Sequence, residues 1–341
     1  MTNITTEQHN DSSRKKRPGP FSTLNTPLAP LLGFIGVFPL IFFGLCHVLR
    51  QNHETGGALG IGSELVRLLH SSGASIFFGD VLITQGEALA KELSATSKTG
   101  QHVRFLYCNV QSHLANLGLF DLAMKTCGRV DHAASVAGIN REEDIASKEL
   151  DMESVRKEPD IDDSIDVNLR GPILFSRIAG VYLRQPPLND KSSTAAADKS
   201  LTLVSSVAGF TEAPGLAIYS SAKHGVYGLM RALRKVLIKS SPYAIRTNAV
   251  CPWMTETRMV KGIDADWREA GLPRNKAIDV ARVIAGVMVA NSLNGEALYV
   301  EGGRAWGIEE GIDRTQPQWM GEKQSRDFLK GQEVLGTGES W

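Results

Sequence analysis

The sequence predicts an α/β fold: a doubly wound parallel sheet with helices on both faces, as a single domain with terminal extensions. Three observations predict it. Short β-rich runs alternate with helical periodicities, a glycine-rich run opens the first of those helices, and length and composition suit one globular unit. Of the 341 residues, 42% are hydrophobic and 22% charged, the balance of a chain that folds around a core and not of a disordered or fibrous one. An α/β domain reaches about 250 residues as one unit, so flanking extensions account for the remainder. Thirty-seven basic residues face 37 acidic ones, which leaves no broad positive field and argues against nucleic acid as a partner. Cys46, Cys108, Cys127 and Cys251 lie far apart, with neither paired metal spacing nor the density of a disulfide scaffold. No metal is expected, and a reducing, cytoplasmic compartment fits best.

Residues 1–53 read as an N-terminal extension. It carries the basic run Arg14, Lys15, Lys16, Arg17 and then an apolar segment, 28–49, that holds no Asp, Glu, Lys or Arg. That segment is long enough to cross a bilayer as a helix. Pro30 and Pro39 would remove helix hydrogen bonds, which membrane helices tolerate better than soluble ones. A signal peptide would have a shorter apolar region and a small-residue cleavage site. Three readings stand: a membrane anchor that makes the chain single-pass, an apolar surface or core extension, or a non-native terminus.

Residues 54–306 read as the domain. Strand-like runs fall at 75–79, 103–107, 130–136, 201–205, 245–250 and 297–300. Helical patterns lie between them at 64–70, 85–93, 114–127, 165–183, 219–238 and 280–290, each with apolar residues three and four apart. Strands alternating with helices predict a parallel sheet covered on both sides. The stretch 185–200, with two prolines and several polar residues, reads as an exposed loop. Residues 307–341 read as a polar tail or a partial lid.

Two motifs carry chemistry. Thr55-Gly56-Gly57-Ala58-Leu59-Gly60-Ile61-Gly62 precedes a helical pattern, and Gly56, Gly60, Ile61 and Gly62 would let the backbone approach a pyrophosphate at the helix N-terminus. A strand then ends at Asp80, 18 residues after Gly62, where a carboxylate can accept from both hydroxyls of an adenosine ribose and repel a 2′-phosphate. NAD is therefore favoured over NADP. The second motif is Tyr219 with Lys223 four residues on. On a helix the two share a face, and the ammonium would lower the phenol pKa toward neutrality. Ser206, at a strand end 13 residues before Tyr219, completes an ordered set.

With these residues in this order, the sequence resembles the short-chain dehydrogenase/reductase family over nearly all of 55–303, with its Rossmann-like sheet. The resemblance implies a cofactor loop at 55–62 and an NAD-selecting acid at Asp80. It implies adenine and ribose contacts from Asn109, Val110, Ala137 and Gly138, and a nicotinamide-passing segment at 248–252 with Thr255 and Thr257. It identifies Asn168, in Val167-Asn168-Leu169, with Ser206, Tyr219 and Lys223 as catalytic; Tyr219 and Lys223 would also hold the cofactor. Glu301-Gly302-Gly303 resembles the turn after the last strand. The implied reaction is hydride transfer between NAD(H) and a secondary alcohol or ketone. Tyr219 would take the proton, Ser206 would donate to the substrate oxygen, and Asn168 would hold a water linking Lys223 to solvent. The region 254–275, with Met259, Ile263, Trp267 and Leu272, would cover a small lipophilic substrate of steroid, terpenoid or polyketide type. Two copies, or four, would pair through the helices holding Asn168 and Tyr219.

Four positions depart from the family pattern. Asn109 stands for an aspartate, Ser135-Val136 for two asparagines, and Trp253 for a glycine. The fourth is the most serious: Arg50-Gln51-Asn52-His53-Glu54 stands where an apolar first strand should precede Thr55. A central parallel strand is buried on both faces, and each unsatisfied polar group there costs on the order of 1–3 kcal/mol. Either Cys46–Leu49 forms the strand with a longer loop, or the terminus is not that of a working enzyme. The alternatives to an active dehydrogenase are thus a catalytically silent NAD-binding scaffold and a membrane-anchored reductase.

Overall fold

The computed structural model describes the backbone of residues 39–43 and, beyond it, residues 57–143, 145–188, 198–260 and 262–336. Strand β1, Pro39–Phe43, is followed by helix α1, Gly60–Ser71. Strand β2, Ser75–Asp80, leads into α2, Ile83–Ser94, and β3, Val103–Tyr107, into α3, His113–Cys127. After β4, His132–Ser135, a short α4, Asp162–Ile165, passes through a π-helical turn, Asp166–Arg170, into α5, Gly171–Tyr182. Strand β5, Lys199–Val204, precedes the long α6, Ala217–Leu237, and then β6, Ile245–Pro252. A small two-stranded ladder, β7, Thr255–Glu256, with β8, Asn275–Lys276, flanks α7, Asp264–Glu269. Helix α8, Ala277–Val289, is followed by β9, Ala297–Glu301, and β10, Arg304–Gly307. Helices α9, Glu309–Met320, and α10, Glu322–Leu335, close the described chain.

The main sheet has eight strands in the order β10-β9-β6-β5-β4-β1-β2-β3, all parallel except the β9–β10 pair. Central strands must be apolar on both faces, and β2 obeys: Ile76 and Phe78 enter one core layer and Phe77 the other, as strand alternation requires. The first layer lies under α1 and α8, around Leu65, Leu69, Ile284 and Met288. The second lies under α3, α5 and α6, around Phe120, Phe175, Val226 and Met230.

The first strand corrects the reading of the N-terminal segment. Leu40 pairs with Ile76 of β2 on one side and His132 of β4 on the other, so Pro39–Phe43 is the centre of the sheet. Backbone that is laddered on both sides cannot also be a bilayer-crossing helix. The membrane-anchor reading of 28–49, and with it the single-pass and anchored-reductase alternatives, falls. No helix among the described residues is long and apolar enough to cross a membrane. The polar run 50–54 therefore need not enter the sheet, because residues 44–54 separate the strand from the glycine run. The alternative strand at Cys46–Leu49 lies outside the described residues. With the first strand present, the reason for suspecting a silent scaffold disappears.

Residues 309–335, read as a polar tail or lid, form two helices. Buried Glu309 ties α9 to α6, accepting from the Tyr227 hydroxyl, from Arg231 Nε at 3.1 Å and from Arg234 Nη1 at 2.6 Å. Both helices are polar overall, and ion pairing does much of the anchoring of α9.

Candidate active site

The strand order reverses between β1 and β4, and open α/β sheets leave a binding crevice at the carboxyl ends of the strands there. The glycine run enters α1 at this point. Gly60 has φ of +56°, a left-handed conformation that suits glycine, while Gly62 is buried and half-buried Ile61 packs on the first core layer. Gly56 lies outside the described residues. Leu59 gives α1 no side-chain cap, and its first turn carries no acid. That N-terminus suits an anion, through its orphan N–H groups and its positive dipole end.

Asp80 ends β2 and is fully buried, not a solvated strand end. Its carboxylate accepts from Ala58 N at 2.9 Å and from Leu82 N at 3.0 Å, so it orients the glycine loop as well as itself. Asn109 accepts from Gln111 N at 2.9 Å. Val110 and Ala137 pack with Ile139, Val167 and Val81 in a small apolar cluster that joins the ends of β2, β3 and β4.

The catalytic candidates converge from three elements. Asn168 sits in the π turn, a distortion common at functional sites. Its amide is spent on the chain after β4: Ile139 N donates to Oδ1 at 3.0 Å, and Nδ2 donates to Ile139 O at 2.9 Å. It thus braces the backbone that the departures at Ser135 and Val136 left without an asparagine. A Cβ on Gly138 would stand 3.2 Å from both Asn168 Oδ1 and Lys223 Nζ, so only glycine leaves those groups undisturbed.

Ser206 follows β5; its Oγ accepts from Ala208 N at 3.2 Å and lies 3.5 Å from Pro252 O, and its hydroxyl acts on the Tyr219 phenol, pulling the phenol pKa down. Lys223 Nζ is 5.5 Å from the centre of the Tyr219 ring and donates to Val204 O at 3.1 Å. Helical spacing therefore brings both groups to the end of β5. The electrostatics differ from the sequence expectation. Burial pushes the Tyr219 phenol up to about 12 against a smaller opposing pull from the Ser206 hydroxyl, and burial brings Lys223 down to about 8. In the protein alone, desolvation is the largest cause at both groups.

Beyond β6, Thr255 Oγ1 donates to Trp253 O at 2.9 Å, and half-buried Thr257 begins the turn toward α7. Trp253 meets Trp267 edge-on at 4.9 Å and Tyr299 at 6.4 Å; Tyr299 continues to Phe210 and Trp306. Sequence reading singled out Trp253 and Trp267 but not their direct contact, nor the extension of the pair through Tyr299 to Phe210 and Trp306. It also missed Glu142, which accepts from Ile218 N at 3.0 Å and Tyr219 N at 2.7 Å across 76 and 77 residues. No local pattern signals a cap supplied from so far away.

A glycine-edged helix N-terminus, a buried acid at the end of β2 and a Ser-Tyr-Lys cluster beside them have the donor set that a nicotinamide dinucleotide requires. Together they define a dinucleotide-dependent oxidoreductase of the doubly wound class. The family model for short chain dehydrogenases matches residues 54–268, and the chain belongs to the short-chain dehydrogenase/reductase family of NAD(P)-dependent oxidoreductases acting on alcohol and ketone groups. Its match begins after β1. The 5'-hydroxyaverantin dehydrogenase of Dothistroma septosporum is 28% identical over 83% of this chain and 92% of its own length. The trans-4-hydroxycyclohexanecarboxylate dehydrogenase of Sinomonas cyclohexanicum is 26% identical over 74% and 92%. Among solved structures, a Burkholderia cenocepacia short chain dehydrogenase in complex with NADP covers 77% of this chain and 96% of its own, with a TM-score of 0.60 and 22% identity.

Proposed function

We propose that this chain is an NAD(H)-linked dehydrogenase that interconverts a secondary alcohol and a ketone on a lipophilic, ring-bearing molecule of polyketide type. The observation that carries the reading is the buried Tyr219 phenol, on which the Ser206 hydroxyl acts, with the Lys223 ammonium 5.5 Å from its ring and held at the end of β5 by Val204 O. When bound, the nicotinamide supplies the site that gives or accepts the hydride. The remaining work falls to the chain. Tyr219 moves the hydroxyl proton: held neutral by burial, it is the donor for ketone reduction, and in oxidation it must first yield its proton. Ser206 donates to the substrate oxygen as negative charge builds there. Lys223 keeps a positive charge close to the phenol and binds the ribose. Asn168 holds the chain under Gly138, on which the position of the Lys223 ammonium depends.

NAD is preferred over NADP on the strength of Asp80, whose buried charge would oppose a 2′-phosphate. The substrate class is supported by the aromatic run Trp267, Trp253, Tyr299, Phe210, which begins one residue past Pro252, and by the name of the Dothistroma septosporum relative, a dehydrogenase of a hydroxylated compound.

The test is Tyr219→Phe, assayed for NAD-linked turnover on a panel of ring-bearing secondary alcohols and ketones, with NADH binding followed by fluorescence. Loss of general acid–base catalysis should lower kcat about 10²- to 10⁴-fold while NADH affinity stays near that of the parent chain. Undiminished turnover in that variant removes Tyr219 from the chemistry and the proposal with it.

A further inference from the structure

Tyr219 is the third residue of α6, in the turn of a helix most prone to fray. Ser220 Oγ donates to Ala208 O at 2.8 Å and Ser221 Oγ to Ala217 O at 2.7 Å, but no local side chain accepts from the first N–H groups of α6. Leu216 gives no side-chain cap, the first turn has no acid, and the approach through Glu212, Pro214 and Gly215 is exposed. The N–H groups of Ile218 and Tyr219 go instead to the two oxygens of Glu142, at 3.0 and 2.7 Å.

The loop that carries Glu142 is itself pinned. Asn168 holds Ile139 through both amide atoms. Arg141 pairs with Asp160 at 2.6 Å and also with Asp163, and the Ser164 hydroxyl donates to Arg141 O. Gly138, the residue before Ile139, leaves room for the Lys223 ammonium, which a Cβ there would meet at 3.2 Å. A single segment, 138–142, therefore passes beside Lys223, is braced by Asn168 and grips the backbone of Tyr219.

We propose that Glu142 is a positioning residue for Tyr219, setting through the two backbone N–H groups where the phenol stands relative to Ser206 and Lys223. An acid at a helix N-terminus also complements the dipole, but a cap that only stabilised the helix could come from residue 216, one bond away. Taking it from the loop braced by Asn168 fixes the relative placement of catalytic groups on α6 and the π turn. Such placement governs rate: a misplacement of about 1 Å can lower turnover about 10²-fold.

The inference rests on the proposed role of Tyr219, and its test separates the two. Glu142→Ala removes both acceptors, and Glu142→Gln keeps one. In the full chain, kcat is expected to fall about 10- to 100-fold for Glu142→Ala and less for Glu142→Gln, with KM and NADH affinity little changed. By hydrogen exchange, amides in 217–222 should exchange at least about tenfold faster while those of β5 and β6 keep their protection. Unchanged kcat despite faster exchange would overturn the proposal, as would unchanged exchange. So would a global loss of protection, or failure of both variants to fold, because Glu142 would then be a structural residue. If the parent chain turns over no substrate, the functional reading fails instead, and exchange alone still decides whether Glu142 holds the first turn of α6.

Discussion

At the scale of single residues, the site is a competition between burial and charge. Burial wins at Tyr219 and Lys223 in the protein alone, moving the phenol up and the ammonium down. Asp80 differs because backbone donors meet it: Ala58 and Leu82 bond its two oxygens, which offsets the desolvation of a buried carboxylate. Its charge, more than its shape, should select the cofactor. Asp80→Asn keeps an acceptor for one of those N–H groups and removes the repulsion toward a 2′-phosphate. The ratio of NADPH to NADH dissociation constants, measured by fluorescence titration, is expected to fall about tenfold, equivalent to about 1.4 kcal/mol. A parent chain that already prefers NADPH contradicts this role. Ser206, Tyr219 and Lys223 were legible in the sequence because their relation depends on helical spacing and chain order. The direction of the Tyr219 shift was not, since it depends on how much protein surrounds the ring. Glu142 was invisible for a related reason: its partners are distant in sequence and are backbone groups that carry no side-chain signature.

At the scale of elements, the decisive one is β1. It bonds β2 and β4 at once, so the two halves of the sheet meet only through it. Ile41 pairs with Phe77 on one side and Ala133 on the other. Proline has no N–H to give a ladder and is confined to strand edges and bulges. Ile41→Pro is therefore expected to cost about 3 kcal/mol or more, a fall in melting temperature of roughly 6–12 °C by differential scanning fluorimetry, or to leave the chain insoluble. A variant that melts with the parent would mean that the sheet does not need this strand, and would reopen the question of what 28–49 does. Most other elements were legible within a few residues because apolar periodicity marks them. This strand was not, because it hides in a longer apolar segment and sits 11 residues from the glycine run, with 44–54 between, where the family pattern has them adjacent. Helices α9 and α10 escaped for the opposite reason: they are polar overall, with α9 anchored by charged contacts such as Glu309 with Arg234, so 307–341 reads as a tail.

At the scale of the whole molecule, the sheet separates chemistry from a second buried polar region. The site occupies the carboxyl ends of the strands, while a cluster of ionic and polar groups fills the amino ends of β4, β5 and β6. There Lys199 pairs with Asp131 at 2.8 Å, and Arg246 pairs with Asp198 at 2.7 Å while donating to Val287 O and Met288 O at the end of α8. His132 lies among them. Ser200 Oγ donates to Met288 O, so the histidine must donate from Nδ1 to that hydroxyl. Burial lowers its pKa from 6.5 to about 4, against smaller attractions from Asp198 and Asp131. The sign follows from linkage: above pH 6.5 both folded and unfolded chains carry this histidine neutral, and as pH falls from 6.5 toward 4 the unfolded chain binds the proton first. Stability from this group is therefore present at neutral pH and lost in acid, by roughly 3 kcal/mol for a shift of this size. His132→Asn keeps a donor for Ser200 and cannot titrate. In urea unfolding at pH 6.5, 5.5 and 4.5, the parent chain is expected to lose stability more steeply than the variant, so that the curves converge in acid. Parallel curves would show that His132 is protonated at the same pH in both states and would remove it as the source of acid sensitivity.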